Sequence, residues 1–300
     1  MEKVLMIEAH VIADSISEAG KRITTLQVKF HRFILPEFNT HRVFSRNFSS
    51  SRAIPTAKLI EQVRTDPAIP VHWGKNQPGM QAAEELQGIG KQLARDAWMV
   101  SADVAAGQAG VLSSLNVHKQ IVNRVLEPYM WVTGIVTATE WDNWFELRAH
   151  EDAQPEIHEL ALRMKEAMDK SRPMLLDENC WHLPYVSLEE MANAAETNKV
   201  FPHDAYATLA PISAARCCRV SYLKQDGSKP NIEDDLKLFD RLVGSAPLHA
   251  SPLEHQAYSD IMEDHPEAWG NFRGWVQYRK VYEEKVATEA WLNKYKNKTE

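Results

Sequence analysis

The sequence has few cysteines and lacks the short motifs of the common nucleotide-binding folds. Its 300 residues contain three cysteines, Cys180, Cys217 and Cys218. This odd count excludes a disulfide framework and a metal-ligand spacing, and it favours a reducing compartment. No Gly-x-Gly-x-x-Gly, Gly-x-x-x-x-Gly-Lys-Ser/Thr or Gly-x-Ser-x-Gly motif occurs. The usual dinucleotide fold, a P-loop and a hydrolase nucleophile elbow are therefore not expected.

Long apolar runs and excess positive charge are also missing. No run is long enough to cross a bilayer, and residues 1–13 lack the order of a signal peptide. The net charge of -7 makes the whole chain a poor nonspecific binder of nucleic acid. We expect a cytoplasmic protein without nucleic-acid or membrane partners. No clear linker divides the chain, so residues 1–300 are predicted to form a single domain.

Cationic side chains are concentrated in residues 39–52. This stretch holds three arginines, one histidine, two asparagines and four serines, but no acid. Guanidinium forks and short hydroxyl donors suit phosphate. We interpret the stretch as a loop that binds a phosphorylated small molecule. A solvated arginine-rich loop is the alternative.

A second constellation surrounds Arg148, within residues 139–154. A cation flanked by aromatic and amide side chains suits a heteroaromatic ring. The alternative is a surface pair of Glu146 with His150 beside tryptophans that belong to the core. Arg124, near the end of a predicted helix, is also explained by the helix dipole alone.

Two further segments leave structural and functional interpretations open. Residues 248–255 contain two histidines and a glutamate, but Pro252 disfavours the helix that would bring them together, so no metal site is predicted. A loop that caps a ligand and satisfied structural histidines are the two interpretations that remain. Residues 214–222 place two arginines beside small residues. These arginines either lie near an anion or are solvated.

Hydrophobic patterning predicts an α+β fold, with a mixed or antiparallel sheet packed with long helices. Strands are predicted over residues 4–12, 23–30 and 131–139. Helices are predicted over residues 31–38, 56–64, 81–112, 117–126, 141–150, 155–171, 204–222, 234–243 and 272–295. Residues 39–52, 66–79, 172–185 and 247–255 are predicted to be irregular or connecting segments.

Taken together, four segments resemble the flavin-dependent thymidylate synthases. Residues 41–52 are similar to that family's signature, and residues 143–157 to its nucleotide-side helix. Residues 214–222 resemble its Arg-Ala-Ala-Arg-Val-Ser segment, and residues 249–255 its His-x-Ser/Thr-Pro-Phe-Glu-His segment. The last two usually precede the signature and follow it here, which indicates a rearranged, permuted or phage-type member.

The resemblance implies a set of site residues. FAD would be contacted by His41, Arg42, Asn47, Asn143, Ser221, His249, Ser251 and Glu254. The nucleotide would be contacted by Glu37, Ser50, Ser51, Arg52, Arg124 and Arg148, with Arg148 and Ser50 as catalytic residues. NADPH and methylenetetrahydrofolate would be cosubstrates. The family is a homotetramer with shared active sites.

The implied activity is reductive methylation of dUMP to dTMP, with carbon from methylenetetrahydrofolate and hydride from reduced FAD. Arg148 would polarise the pyrimidine ring. A thiolate route stays open at this stage, because Cys217 and Cys218 have arginine neighbours. Glu37, where glutamine is usual, motivates the alternative of a hydroxymethylase or a dCMP enzyme. Thr40, where the first signature arginine is usual, motivates that of a non-catalytic nucleotide-binding relative.

Overall fold

The computed structural model describes residues 7–178, 180–197, 207–220, 231–243 and 248–296. The fold is α+β, as predicted, with a mixed sheet in the order β3-β4-β2-β1-β5. These strands are β1 Glu8–Ser17, β2 Arg22–His31, β3 Ser45–Phe48, β4 Trp131–Ala138 and β5 Met174–Leu176. β1 and β5 are parallel, and the other neighbours are antiparallel.

A small antiparallel sheet and a set of helices complete the described part. The small sheet has the order β6-β7-β8, from Trp181–His182, Ala257–Ser259 and Trp275–Gln277. The helices are Leu35–Phe38, Thr56–Thr65, Gly88–Ser114, Lys119–Val122, Asp142–Arg148, Pro155–Lys170, Leu188–Thr197, Ala210–Cys218, Ile232–Val243 and Tyr278–Lys296. Short 3-10 helices are Arg32–Ile34, Asn123–Tyr129, Ser251–Glu254 and Pro266–Ala268.

The main core lies between one face of the large sheet and the helix Pro155–Lys170. Alternation along β2 sends Leu26, Val28 and Phe30 to this face, where they belong to the same buried cluster as Leu160 and Met164 of that helix. Full burial of each such side chain stabilises the fold by about 1.5–3 kcal/mol. This core fixes β2 and β4, and the other elements of the site are positioned by these strands.

Four predicted boundaries are wrong. The first strand does not end at residue 12, because Ser15 lies buried in β1 and its Oγ bonds to His182 Nδ1 at 2.9 Å. The helix predicted over 81–112 begins at Gly88, since Leu86 N–H still bonds to Trp73 O. The connector 172–185 contains β5 and β6. The tail contains β8 before its helix, because pairing with β7 fixes that stretch as a strand.

Some predicted stretches lie partly outside the described residues. Of the helix predicted over 204–222, the described part is helical at Ala210–Cys218. Within 247–255, the described part contains a 3-10 turn, Ser251–Glu254. Residues 4–6 of the first predicted strand also fall outside.

The predicted loop 39–52 contains the strand β3, which is the decisive difference for the site. β3 pairs with β4, with Phe48 opposite Gly134. A Cβ at residue 134 would collide with the Phe48 ring, so glycine allows the ring to lie flat across β4. The Phe48 ring then packs edge-on against Phe30 and Phe38 at 5.5 and 5.3 Å between centroids. The cationic segment is thereby anchored to the core.

Candidate functional site

Asn47 of β3 joins three of the four segments that resemble the family. Its Nδ2 donates to Cys217 O at 2.9 Å, and its Oδ1 accepts from Ser251 Oγ at 3.5 Å. Residues 41–52, 214–222 and 249–255 therefore meet at one edge strand, although about 200 residues of sequence separate the first from the last. The contacts hold the polar side chains of these segments together, while apolar residues of the same segments, among them Phe44, Ala215 and Leu253, lie in the core.

Arg148 brings the fourth segment to the same region. It lies in the last turn of the helix Asp142–Arg148, where the helix dipole favours a cation. Its Nε donates to His41 Nε2 at 3.0 Å, and its Nη2 donates to Thr40 Oγ1 at 3.4 Å. The Thr40 hydroxyl in turn donates to Glu37 O at 2.7 Å. Two of the guanidinium's own donors, Nε and Nη2, are thus bound by protein acceptors. Its Nη1 has no protein acceptor among the residues described here.

His41 is held as a neutral imidazole that accepts from Arg148. Its ring is buried against Trp144 edge-on at 4.7 Å and stacked on Phe44 at 5.8 Å. Burial lowers the pKa of His41, and the Arg148 and Arg46 cations lower it further. A neutral ring that accepts at Nε2 carries its proton on Nδ1. Trp141 and Trp144 are core residues, as the structural alternative predicted, but the His150 of its predicted surface pair lies near Asp152, at 3.6 Å, and not near Glu146.

A second polar group lies at the other end of β4. Ser51 Oγ donates to Glu127 Oε1 at 2.7 Å, and Arg124 Nη1 donates to the same oxygen at 2.8 Å. Asn123 Nδ2 donates to Ser51 O at 2.7 Å and fixes that backbone. The 3-10 helix Asn123–Tyr129 precedes β4, whereas the helix that carries Arg148 follows it. Eight residues of strand, about 26 Å, thus lie between the two groups within one chain.

A polar cleft of about 680 Å³ adjoins the His41 end of the site. Its lining includes Arg42, Arg46, Glu254, Arg279 and Lys280. Arg279 pairs with Glu254 through its Nη1 and with Glu283 at 2.7 Å through its Nε. The cations outnumber the acids of the lining, so the cleft suits an anionic group.

Two amide side chains, those of Asn271 and Gln277, join the lining of this cleft to residues 41–52 by hydrogen bonds. Asn271 Nδ2 donates to Val43 O at 2.8 Å, and Gln277 Nε2 donates to Ser45 Oγ at 3.2 Å. Gln277 Nε2 also lies 3.3 Å from Glu254 O, so one side chain ties together three segments. A Cβ at Gly270, where φ is +62°, would press on Gln277, which explains the glycine in this turn.

The other predicted site residues are placed less tightly. Glu37, Arg42, Ser50, Arg52, Asn143 and His249 are exposed, and Ser221 lies outside the described residues. Arg52 has no protein partner among the residues described. Asn143 lies in the first turn of the Arg148 helix. The roles of these residues stay predictions.

Of the two predictions for residues 214–222, Arg216 contradicts the solvated arginine and fits the closely packed helix near an anion. It is 1% exposed, and its Nε donates to Asp235 Oδ2 at 2.8 Å. Its Nη2 donates to Glu190 Oε1 at 2.7 Å. Burial would raise the pKa of Glu190, but the hydrogen bonds from Arg216 and Ser187 lower it to about 2. The anions that the sequence pattern indicated are carboxylates of the protein itself.

Neither Cys217 nor Cys218 is a thiolate at neutral pH. Burial raises the pKa of Cys217, whose Sγ lies 3.5 Å from Gln256 Nε2. Burial also raises the pKa of Cys218 and outweighs the nearby Arg219 and Arg241. Because the thiolate is the nucleophile, the open possibility of covalent addition through these two residues is not supported.

Sequence reasoning missed Asn271, Gln277 and Arg279. Arg279 and Lys280 follow directly on the first residue of the helix Tyr278–Lys296, the end where a helix dipole disfavours cations. Two cations at this end of a helix are unfavourable for stability, so they could have indicated a functional role from the sequence alone. The two amides gave no signal, because their partners are far away in sequence. In the described ranges, no three His, Cys, Asp or Glu side chains cluster to bind a metal ion, and no helix could span a membrane.

No protein-family profile and no curated protein matches the chain. The solved structures that share a partial likeness with it include two of PolB, a UMP/dUMP methylase from Streptomyces cacaoi. The complex with 5-Br dUMP aligns with 16% identity and a TM-score of 0.46 over 57% of this chain and 91% of PolB. The complex with 5-Br UMP aligns with 16% identity and a TM-score of 0.45 over 57% and 90%. A likeness of this size carries over no activity.

Proposed function

We propose that the chain is a flavin-dependent thymidylate synthase that methylates C5 of dUMP to give dTMP. Methylenetetrahydrofolate would supply the carbon and NADPH the reducing equivalents. The observation that carries this proposal is the meeting of the four segments around β3, with Arg148 held by Thr40 and His41. Segments that are far apart in sequence come together. Arg148, the cation that would activate the pyrimidine, is held in place by the hydrogen bonds that two of its donors make.

Arg148 would activate the ring electrostatically. C5 of uracil attacks carbon only if negative charge can build on the ring carbonyls, and a fixed guanidinium stabilises that charge. His41 and Thr40 hold the Nε and Nη2 side of Arg148, which leaves Nη1 to face the substrate. Since Cys217 and Cys218 are protonated, ring activation by a cation is the route that these side chains support.

The donor set of the cleft fits the diphosphate of FAD. Arg42, Arg46 and Arg279 line it, and a guanidinium suits phosphate oxygens in a bidentate way. Arg46 donates to backbone carbonyls and Arg279 pairs with two glutamates, so Arg42 is the donor that the described residues leave for a phosphate. Glu254 and Asn47 would bind polar edges of the cofactor at the adjoining end. When bound, the reduced flavin supplies a hydride. The protein's part is to bind and orient the cofactor and to exclude water from the ring.

The nucleotide-side residues and Arg148 belong to different copies in this proposal. Ser51 and Arg124 lie at the opposite end of β4 from Arg148, farther than a nucleotide monophosphate reaches. Next to them, the helix Gly88–Ser114 is apolar on two sides. Its small residues Ala102, Ala106 and Ala109 are buried, and the other side carries a stripe of side chains that are more than half exposed, Ile89, Leu93, Val100, Val104, Val111 and Leu115. Such a helix fits burial in an assembly, consistent with a homotetramer.

The first experiment is the visible spectrum of the purified protein, followed by assays of dUMP and dCMP. We expect a yellow protein with bound flavin that consumes dUMP only when methylenetetrahydrofolate is present, and that yields dTMP by mass spectrometry. A colourless protein that still binds dUMP would contradict the enzyme assignment. Exclusive turnover of dCMP, or a product heavier by one oxygen, would favour the hydroxymethylase or cytosine alternative that Glu37 motivates.

Shared active sites predict complementation between two inactive variants. Arg148→Ala and Arg52→Ala are each expected to lose activity alone. Co-expressed in equal amounts, they should regain about one quarter of wild-type turnover per site, because that fraction of sites draws both intact residues from different copies. Steady-state assay of the co-purified hetero-oligomer measures this. The double variant mixed with wild-type protein is the control, and absence of recovery in the mixture would place both residues in one copy.

A further inference from the structure

The helix Gly88–Ser114 is packed within the chain on one side only. Its buried Ala102, Ala106 and Ala109 belong to the same cluster as Leu59 of a neighbouring helix. The opposite side carries an exposed stripe of six apolar side chains, each between 52% and 79% exposed: Ile89, Leu93, Val100, Val104, Val111 and Leu115. Among the residues that the structure describes, nothing covers this stripe. A contiguous apolar surface of this kind is typical of a contact site.

The exposed stripe has an 11-residue period. Its members form three pairs, 89 with 93, 100 with 104, and 111 with 115, each of which begins 11 residues after the one before. Eleven residues make almost three whole turns of an α-helix, so the stripe drifts by only about 20° per repeat. It therefore stays on one side of the helix along about 40 Å. A second helix can contact such a stripe along its whole length.

The spacing of the stripe is also symmetrical about Ala102. Pairs of side chains lie at equal distances from it along the sequence: Ile89 and Leu115 at 13 residues, Leu93 and Val111 at nine, the small residues Ala97 and Gly107 at five, and Val100 and Val104 at two. Two antiparallel copies related by a twofold axis at this level would place Val100 against the partner's Val104. A twofold interface requires a self-complementary surface of this kind.

Two arguments favour an antiparallel over a parallel pair. Antiparallel helices place the positive end of one dipole beside the negative end of the other. The two helix ends also lead to different parts of the site. Residues 73–86, before the helix, reach the Arg148 side, where Gln81 Nε2 donates to Asp152 O at 3.0 Å, and Arg124 follows ten residues after the helix ends. An antiparallel pair brings these two sides of different copies together; this second argument rests on the proposed function.

We propose that the helix Gly88–Ser114 pairs antiparallel with the same helix of a second copy of the chain. The twofold axis passes between Val100 and Val104. Two stripes of this length offer on the order of 1,000 Å² of contact surface, the size from which specific interfaces are built. Asp103, an acid beside the axis, is paired with Arg64 of its own chain at 3.4 Å, which limits repulsion between the copies.

The charges beside the stripe argue against a lipid surface as the occupant. On a helix of 3.6 residues per turn, the charged residues nearest to the stripe are Asp96 and Asp103, whereas Lys91 and Arg95 lie farther round the helix. Helices that bind membrane surfaces carry lysine and arginine beside their apolar side, because these attract anionic lipids. A second copy of the same apolar stripe needs no such cations.

The first test is disulfide cross-linking of two coexpressed variants, Val100→Cys and Val104→Cys, one of them carrying a larger tag. We expect an oxidised heterodimer on a non-reducing gel, and no cross-link when either variant is expressed alone. Like positions lie about 6 Å apart along the axis in addition to a helix separation of about 8–10 Å, which a disulfide does not span. Wild-type protein oxidised in the same way measures the background from Cys180 and Cys218, which are half-buried.

The second test is Val104→Lys, which places two charges beside the twofold axis. We expect the dissociation constant of this interface to rise at least hundredfold, so that the mass measured by sedimentation at micromolar concentration falls by half. Ser113→Lys, at an exposed residue outside the stripe on the same helix, is the matched control and should keep the wild-type mass. Circular dichroism checks the fold of both variants. Val104→Asn replaces Val104→Lys if the lysine variant does not fold.

Cross-links of each variant with itself, without the heterodimer, would mean a parallel pair and overturn the proposal. Absence of every cross-link, or a wild-type mass for folded Val104→Lys, would overturn it as well. The heterodimer in a colourless protein without turnover of dUMP would keep the helix pair and reject the proposed function. A halved mass with unchanged turnover per chain would keep the helix pair and separate it from the shared site.

Discussion

Replacing Arg148 by alanine should lower kcat/KM for dUMP by about 10²–10³-fold, the loss typical of one charge-stabilising donor. Most of the loss should fall on kcat, because the interaction with the ring strengthens as charge develops. Flavin absorbance should be unchanged, since Arg148 lies on the helix after β4 and does not line the cleft of Arg42 and Arg279. Single-turnover kinetics with enzyme in excess measures the chemical step directly.

Three further variants separate the charge of Arg148 from its positioning. Arg148→Lys keeps the charge but loses the fork that His41 and Thr40 hold, so we expect only partial recovery. His41→Gln retains an oxygen that can accept from Arg148, whereas His41→Leu does not. The leucine variant should therefore resemble Arg148→Lys, and the glutamine variant should stay closer to wild type. Wild-type turnover in Arg148→Ala would refute the assigned role.

The part of the fold that local pattern determines was predicted correctly. β2, β4 and the helix Pro155–Lys170 match their predicted ranges to within one residue, because their apolar residues recur at the strand or helix period. β3, β5, β6, β7 and β8 were missed. Each has four residues or fewer, and each is defined by a partner strand that lies from about 15 to about 160 residues away in sequence.

The site shows the same division between local and distant signals. The chemistry of residues 39–52 can be predicted from the sequence, because a single stretch that is rich in phosphate-binding donors and free of acids is unusual. The orientation of its side chains cannot be predicted, since Arg148 and His41 are 107 positions apart and meet only through the fold. Arg216 shows the same limit. Its small neighbours in sequence indicated a packed helix near an anion, but only the fold identifies that anion as the carboxylates of Asp235 and Glu190.

Two buried histidines, His182 and His255, are hydrogen-bonded to threonines of β2 and β4, and they predict a strong loss of stability in acid. Ser15, His182, Thr25, Thr137 and His255 form one continuous hydrogen-bonded chain with distances of 2.7–2.9 Å. All five side chains are buried. Each imidazole must be neutral here, because the chain offers no anion to balance a proton. Burial lowers the pKa of both histidines to about 3, partly opposed at His182 by Asp14 and reinforced at His255 by His182.

The sign of the effect follows from proton uptake. Between about pH 6.5, the pKa of an unfolded histidine, and about pH 3, the unfolded chain binds protons that the folded chain refuses. The free energy of unfolding should therefore fall as the pH is lowered, by up to about 1.4 kcal/mol per pH unit for each histidine. Urea denaturation at pH 6.5, 5.5 and 5.0 measures this slope before most carboxylates titrate.

His255→Gln provides the decisive comparison. Glutamine keeps a hydrogen-bonding partner for Thr137 but cannot take up a proton between pH 5 and pH 6.5. Its stability should fall less steeply than that of wild type, by up to about 1.4 kcal/mol per pH unit. Equal slopes in wild type and His255→Gln would mean that the buried imidazole is protonated in the folded protein. The conclusion that both imidazoles of this hydrogen-bonded chain are neutral would then be wrong.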